Sequence, residues 1–113
     1  MAVVEKDTIG TLIMVINGYV IEPGADLSGA SFRRTDMTGA DLSGANLTNV
    51  DFKETILVGA NLSGANFTGE LNQYGGLNVG LFNADLTNAN LSNANLTLVR
   101  ACDIPLTIIR RFA

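Results

Sequence analysis

Large apolar residues recur at every fifth position along most of the chain. Leu27, Phe32, Met37, Leu42, Leu47, Phe52, Leu57, Leu62 and Phe67 form one unbroken series, and Leu81, Leu86, Leu91 and Leu96 form a second. Two places before each large residue of the first series stands a small or β-branched one, from Ala25 and Ala30 to Ala60 and Ala65. Asp, Asn or Ser lies between the two, except at Ile56, and Ser or Thr followed by Gly or Asn closes most units. A period of five fits neither an amphipathic helix, which needs 3.6, nor an amphipathic strand, which needs 2. The pattern predicts a short extended piece followed by a turn. Residues two apart point the same way in extended backbone, so the small and the large residue both face inward. Gly or Asn supplies the turn. Units this short cannot bury an apolar face alone and must stack on one another.

Before the repeat, Ile9 to Ile16 (IGTLIMVI) is apolar and β-branched, and Asn17-Gly18 separates it from Tyr19-Val20-Ile21. An Asn-Gly pair between two apolar runs is a strong hairpin signal, because both turn positions need positive φ. Residues 11–21 therefore read as a hairpin, or as two strands meeting at a tight corner. Pro23-Gly24 ends it, and residues 1–8 read as poorly ordered.

The units ADLSG, TDMTG, ANLTN, ANLSG and ANFTG, with ADLTN and ANLSN further on, resemble those of the pentapeptide-repeat family, whose consensus is A-(D/N)-L-x-x. The resemblance covers about two-thirds of the chain and implies an all-β fold. Specifically, it implies a right-handed quadrilateral β-helix in which four units make one coil of 20 residues. Position n then stacks on n+20. Phe32 meets Phe52, Met37 meets Leu57, Leu42 meets Leu62, and Leu27, Leu47 and Phe67 form a column. Outside, Asp26 meets Asn46 and then Asn66, so that acidic residues alternate with amides rather than repel. Arg34 meets Glu54, an opposite-charge pair, whereas Arg33 falls next to Lys53.

The repeat breaks at residues 70–80 (ELNQYGGLNVG), and the second series of large residues is one position short of the first. Either one residue is missing or a bulge has been absorbed. With Leu77 inward on a third face, Leu81 would take the fourth. About four coils are expected, a stack of roughly 20 Å. Three segments follow: residues 1–24 as an N-terminal cap, 25–103 as the β-helix, and 104–113 as a C-terminal cap or tail. Open solenoid ends expose unpaired backbone and core side chains, so each must be covered or paired with another subunit.

Composition narrows function mainly by exclusion. The 113 residues carry a net charge of −4, with no histidine and one cysteine, Cys102. The usual general base and the commonest metal ligand are missing. No nucleophile–base set, metal-spaced cluster or phosphate-cradling loop is visible, so no catalytic, cofactor or metal residue is assigned and an enzyme is not expected. The acidic balance offers no electrostatic reason to bind nucleic acid. The apolar run at residues 12–16 is far short of the roughly 20 residues that span a bilayer. Without a basic n-region or a long apolar core at the N-terminus, a cytoplasmic location is expected, and the resemblance suggests a bacterial source.

The recurring Asp26, Asp36, Asp41, Asp51 and Asp85 read as turn formers at one repeat position. The alternative is an acidic face that imitates DNA phosphates or binds cations. Candidate interaction residues are Tyr74 in the register break, the apolar Leu12, Ile13, Met14, Val15 and Ile16, and the basic cluster Arg33, Arg34 and Lys53. The expected role is a non-enzymatic structural or protein-interaction solenoid with an unidentified protein partner. The alternatives are a homo-oligomer or filament joined through apolar ends, and a DNA mimic of the kind that binds type II topoisomerases.

Overall fold

The computed structural model describes residues 2–68 and 80–96. Three short strands precede the repeat: β1 (Ala2–Lys6), β2 (Leu12–Ile16) and β3 (Tyr19–Ile21), in one antiparallel sheet of order β1-β2-β3. β2 and β3 are joined at Asn17-Gly18, whose φ values of 52° and 83° suit a two-residue hairpin turn.

β1 corrects the expectation that residues 1–8 lack order. It pairs with β2 in the register Ala2↔Ile16 to Lys6↔Leu12. The connection closes through Asp7, whose Oδ1 accepts from the backbone N–H groups of Ile9 (3.0 Å) and Thr11 (2.8 Å). Gly10, at φ 89°, completes the turn. The Asp7-to-Gly10 stretch thus carries a turn signal of its own, an Asx-type acceptor followed by glycine.

From Pro23 the chain winds as a coil with four faces. Parallel bridges link Asp26↔Asn46↔Asn66 on the first face, Ser31↔Asp51 on the second, Asp36↔Ile56 on the third and Asp41↔Asn61 on the fourth. Each partner lies 20 residues on. The wall is held by N–H groups of one coil donating to carbonyls of the next, such as Leu27 N–H to Asn46 (2.9 Å) and Gly29 N–H to Thr48 (2.8 Å). Within each corner a second bond closes the turn, as from Ala30 N–H to the Leu27 carbonyl at 3.0 Å.

Beyond Asn66 the spacing changes. Asp51 pairs with Gly80, Ile56 with Asp85, Asn61 with Asn90 and Asn66 with Asn95. The step rises from 20 residues to 29, so nine residues between Thr68 and Gly80 are surplus to the coil. This corrects the missing-residue reading and the placement of Leu81 on the fourth face, while Leu77 lies outside the described residues. No residue is missing from the coil, and Leu81 follows Phe67 on the very next face. Among the described residues, four levels stand on the first face and three on each of the others.

The interior is apolar and closed. The large residues from Leu27 to Phe67, together with Leu81, Leu86 and Leu91, are all buried, and Leu96 is partly buried against them. Phe32 stacks on Phe52 with ring centroids 5.7 Å apart, and Phe52 meets Phe67 at 6.1 Å. Tyr19 of β3 packs edge-on against Phe32 at 5.6 Å, and Ile16 and Ile21 join the core. The N-terminal sheet is thereby seated on the first coil. Among the described residues no helix is long and apolar enough to cross a membrane.

Candidate interaction surface

The wall is built from one repeated piece of polar chemistry. At the Asp/Asn position of each regular unit, Oδ1 accepts from the backbone N–H and the hydroxyl of the residue two further on. Asp26 holds Ser28 in this way, Asp41 holds Ser43, Asn46 holds Thr48 and Asn61 holds Ser63. Aspartate and asparagine make the same two bonds, so the charge is incidental to the turn. The Thr38 and Thr87 hydroxyl bonds, reinforced by the backbone bonds, hold the Asp36 and Asp85 carboxyls below their usual pKa.

The corner residue of each unit adopts a left-handed backbone. Glycine fills it at 24, 29, 39, 44, 59 and 64, and asparagine at 49, 83, 88 and 93. Arg34 (φ 56°) and Glu54 (φ 57°) are the exceptions, one above the other at the end of the second face. A left-handed residue with a Cβ costs roughly 1–2 kcal/mol. Their side chains form an ion pair, Arg34 Nε to Glu54 Oε2 at 3.1 Å. An exposed pair of this kind contributes about 0.2–1 kcal/mol, which does not offset two strained corners.

The position before that corner is also unusual. Where regular units carry Ser or Thr, the second face carries Arg33, Lys53 and Phe82 in successive coils. Arg33, in register with Lys53 one coil on, has a carboxylate to answer its charge. Its guanidinium turns back to Asp51, with Nε and Nη2 at 3.1 and 2.9 Å from Oδ2. Asp51 Oδ1 meanwhile accepts from the Lys53 N–H at 2.9 Å. Around the corner on the third face, Ile56 replaces the usual Asp/Asn and is 41 % exposed; Phe82 is 40 % exposed.

The three basic candidates Arg33, Arg34 and Lys53 are therefore brought together on one edge, with Asp51 and Glu54 interleaved. The N-terminal candidates separate. Leu12 is exposed, Ile13, Met14 and Val15 are half-buried, and Ile16 is wholly buried and belongs to the core rather than to a surface. Tyr74, Cys102 and the C-terminal arginines Arg110 and Arg111 lie outside the described residues. Phe82 and Gly80 were not singled out from the sequence, and Ile56 only as a departure from the Asp/Asn/Ser position. An aromatic at a Ser/Thr position was the available signal for Phe82, but its neighbours depend on the 29-residue step.

Thr35 and Thr55, buried at the small-residue position of the third face, are both satisfied. Thr55 Oγ1 donates to the Phe32 carbonyl at 2.7 Å and Thr35 Oγ1 to the Arg33 carbonyl at 3.1 Å. Asn17 reaches the same place from the hairpin turn, its Nδ2 donating to the Ser31 carbonyl at 3.3 Å. Among the described residues no group of three His, Cys, Asp or Glu side chains could hold a metal ion.

Comparison with protein families matches the model described as pentapeptide repeats, in eight copies over residues 23–53, 45–69 and 81–100. Among solved structures, the chain is similar to a pentapeptide-repeat protein from the thylakoid lumen of Arabidopsis thaliana, with 27 % identity and a TM-score of 0.48. That likeness covers 79 % of this chain and 58 % of the plant protein. Comparison with curated protein sequences finds no match.

Proposed function

This chain belongs to the pentapeptide-repeat family, and we propose that it serves as a non-enzymatic scaffold whose wall presents side chains to a protein partner. The observation that carries this reading is the second face. Three successive coils depart there from the repeat at exposed positions, and two of the departures impose strained backbone that stability does not explain. Strain retained without a folding benefit is more often found where a surface is used. Arg and Phe are also side chains enriched in the energetic centres of protein interfaces.

Cross-linking in the source cells, followed by capture of the tagged chain, tests the proposal. A defined heterologous protein recovered with the chain supports it, and recovery of nothing removes it. A second reading, self-association through the N-terminal sheet, rests on β1 being an edge strand with exposed Ile9 (86 %) and Leu12 (66 %) nearby. Light scattering separates the two, because a monomer at high concentration removes self-association. The DNA-mimic alternative has less support, since the carboxylates that would imitate phosphates are interchangeable with asparagine in the turns.

A further inference from the structure

The second face holds a charge that the repeat leaves unanswered. Arg33 finds its acceptor at Asp51, one coil further along and at the Asp/Asn position of its unit. The bridge Asp51↔Gly80 shows which residue stands in the same relation to Lys53. It is Gly80, which has no side chain to offer. The Lys53 stem instead lies along that glycine, with Cε 3.1 Å from where a Cβ would be. Among the described residues no carboxylate pairs with the Lys53 ammonium. Two residues beyond Gly80, on the same outward side of the extended piece, stands the exposed Phe82.

From this arrangement we propose that the Lys53–Phe82 edge recognises an acidic segment of a partner protein. One carboxylate would pair with the Lys53 ammonium as Asp51 does with Arg33, and an apolar neighbour would pack on Phe82. The inference rests on the scaffold reading above and names the partner's chemistry. Arg33 and Arg34 are already neutralised by Asp51 and Glu54, so they fix the edge electrostatically without competing for the ligand. The net charge of −4 on the whole chain does not prevent the encounter, because exposed charges beyond about 8 Å are largely screened at physiological ionic strength.

The repeat itself supplies the decisive variant. Gly80 has no positive φ, and the atoms a Cβ would meet belong to the flexible end of Lys53. Gly80→Asp should therefore fold and provide Lys53 with the internal acceptor that Arg33 already has. Lys53→Ser and Phe82→Ser restore residue types found at this position in other units. The probe is an array of labelled peptides alternating Asp or Glu with Leu, Ile or Phe, with Asn and Gln counterparts as controls, read by fluorescence anisotropy.

The wild type should bind acidic members and not their amide counterparts. Each of the three variants should weaken binding by about tenfold or more, one charge-assisted contact or one packed aromatic being worth at least ~1.4 kcal/mol at an interface. Unchanged thermal unfolding shows that the loss is local. Equal binding by Gly80→Asp and wild type overturns the proposal. So does binding that ignores the carboxylates, or no binding across the array. If cells yield a partner that Lys53→Ser and Gly80→Asp capture as well as wild type does, the scaffold reading stands and this edge is not its site.

Discussion

The first and second faces of the coil use the same backbone to opposite ends. On the first, ADLSG, ANLTN and ANFTG stack with Asp26, Asn46 and Asn66 in line, each Oδ1 closing its own turn while Asn46 Nδ2 also donates to Asp26 Oδ1 at 3.2 Å. On the second, ASFRR and VDFKE keep the inward Phe32 and Phe52 but replace the small outward residues with long charged ones. The inward positions are under the same constraint on both faces. The outward ones diverge because the wall's main-chain bonds do not depend on them. The coil therefore separates two tasks: the interior fixes the fold, and any outward column is free to carry a message at a bounded local cost.

Phe52→Ala should break the comparison outright. Its ring touches those of Phe32 and Phe67, and deleting a buried aromatic costs about 3–5 kcal/mol. Denaturant unfolding should show that loss, and a change under 1 kcal/mol on the order expected for surface sites would mean the column is not the spine of the stack. Gly44→Ala tests the regular corner. Gly44 sits at φ 67° with nothing within 4 Å of an added Cβ, so only the backbone is perturbed, and a loss of about 1–2 kcal/mol is expected.

The reverse experiment is Arg34→Gly with Glu54→Gly. It relieves both strained corners and forfeits one surface ion pair, so thermal unfolding should occur at a higher temperature, by about 1–4 kcal/mol of added stability. A less stable double variant would show that the second face is built for stability after all.

The smallest effect concerns pH. The Asp36 and Asp85 carboxyls titrate below the usual carboxylate range, first because of the Thr38 and Thr87 hydroxyls and then because of their N–H groups. A folded pKa below the unfolded one stabilises fully above the unfolded value and is lost as pH falls through the folded value. Asp36→Asn with Asp85→Asn keeps the acceptor and removes the titration. Its melting temperature should fall less than that of the wild type between about pH 5 and pH 3. Parallel curves would show that these hydrogen bonds do not distinguish the folded chain.

Much of this was legible beforehand because the period and the 20-residue coil determine which residues are neighbours. Once the family resemblance supplies the 20-residue coil, the Phe32–Phe52 stack and the Arg34–Glu54 pair follow from counting. Counting fails where side-chain length matters. Arg33 and Lys53 are neighbours by register, but the arginine is long enough to reach diagonally to Asp51. It fails again past Thr68, where only the observed bridges show that the step is 29. Gly80 and Phe82 could not be placed beside Lys53 without it. β1 escaped notice for a different reason: its partner edge on β2 is made available by folding, and a five-residue strand has too little periodicity to announce itself.

The nine surplus residues carry one more consequence. Nine is not a multiple of five, yet the bridges on either side of the surplus keep their order. The coil thus counts positions around its wall rather than residues along the chain.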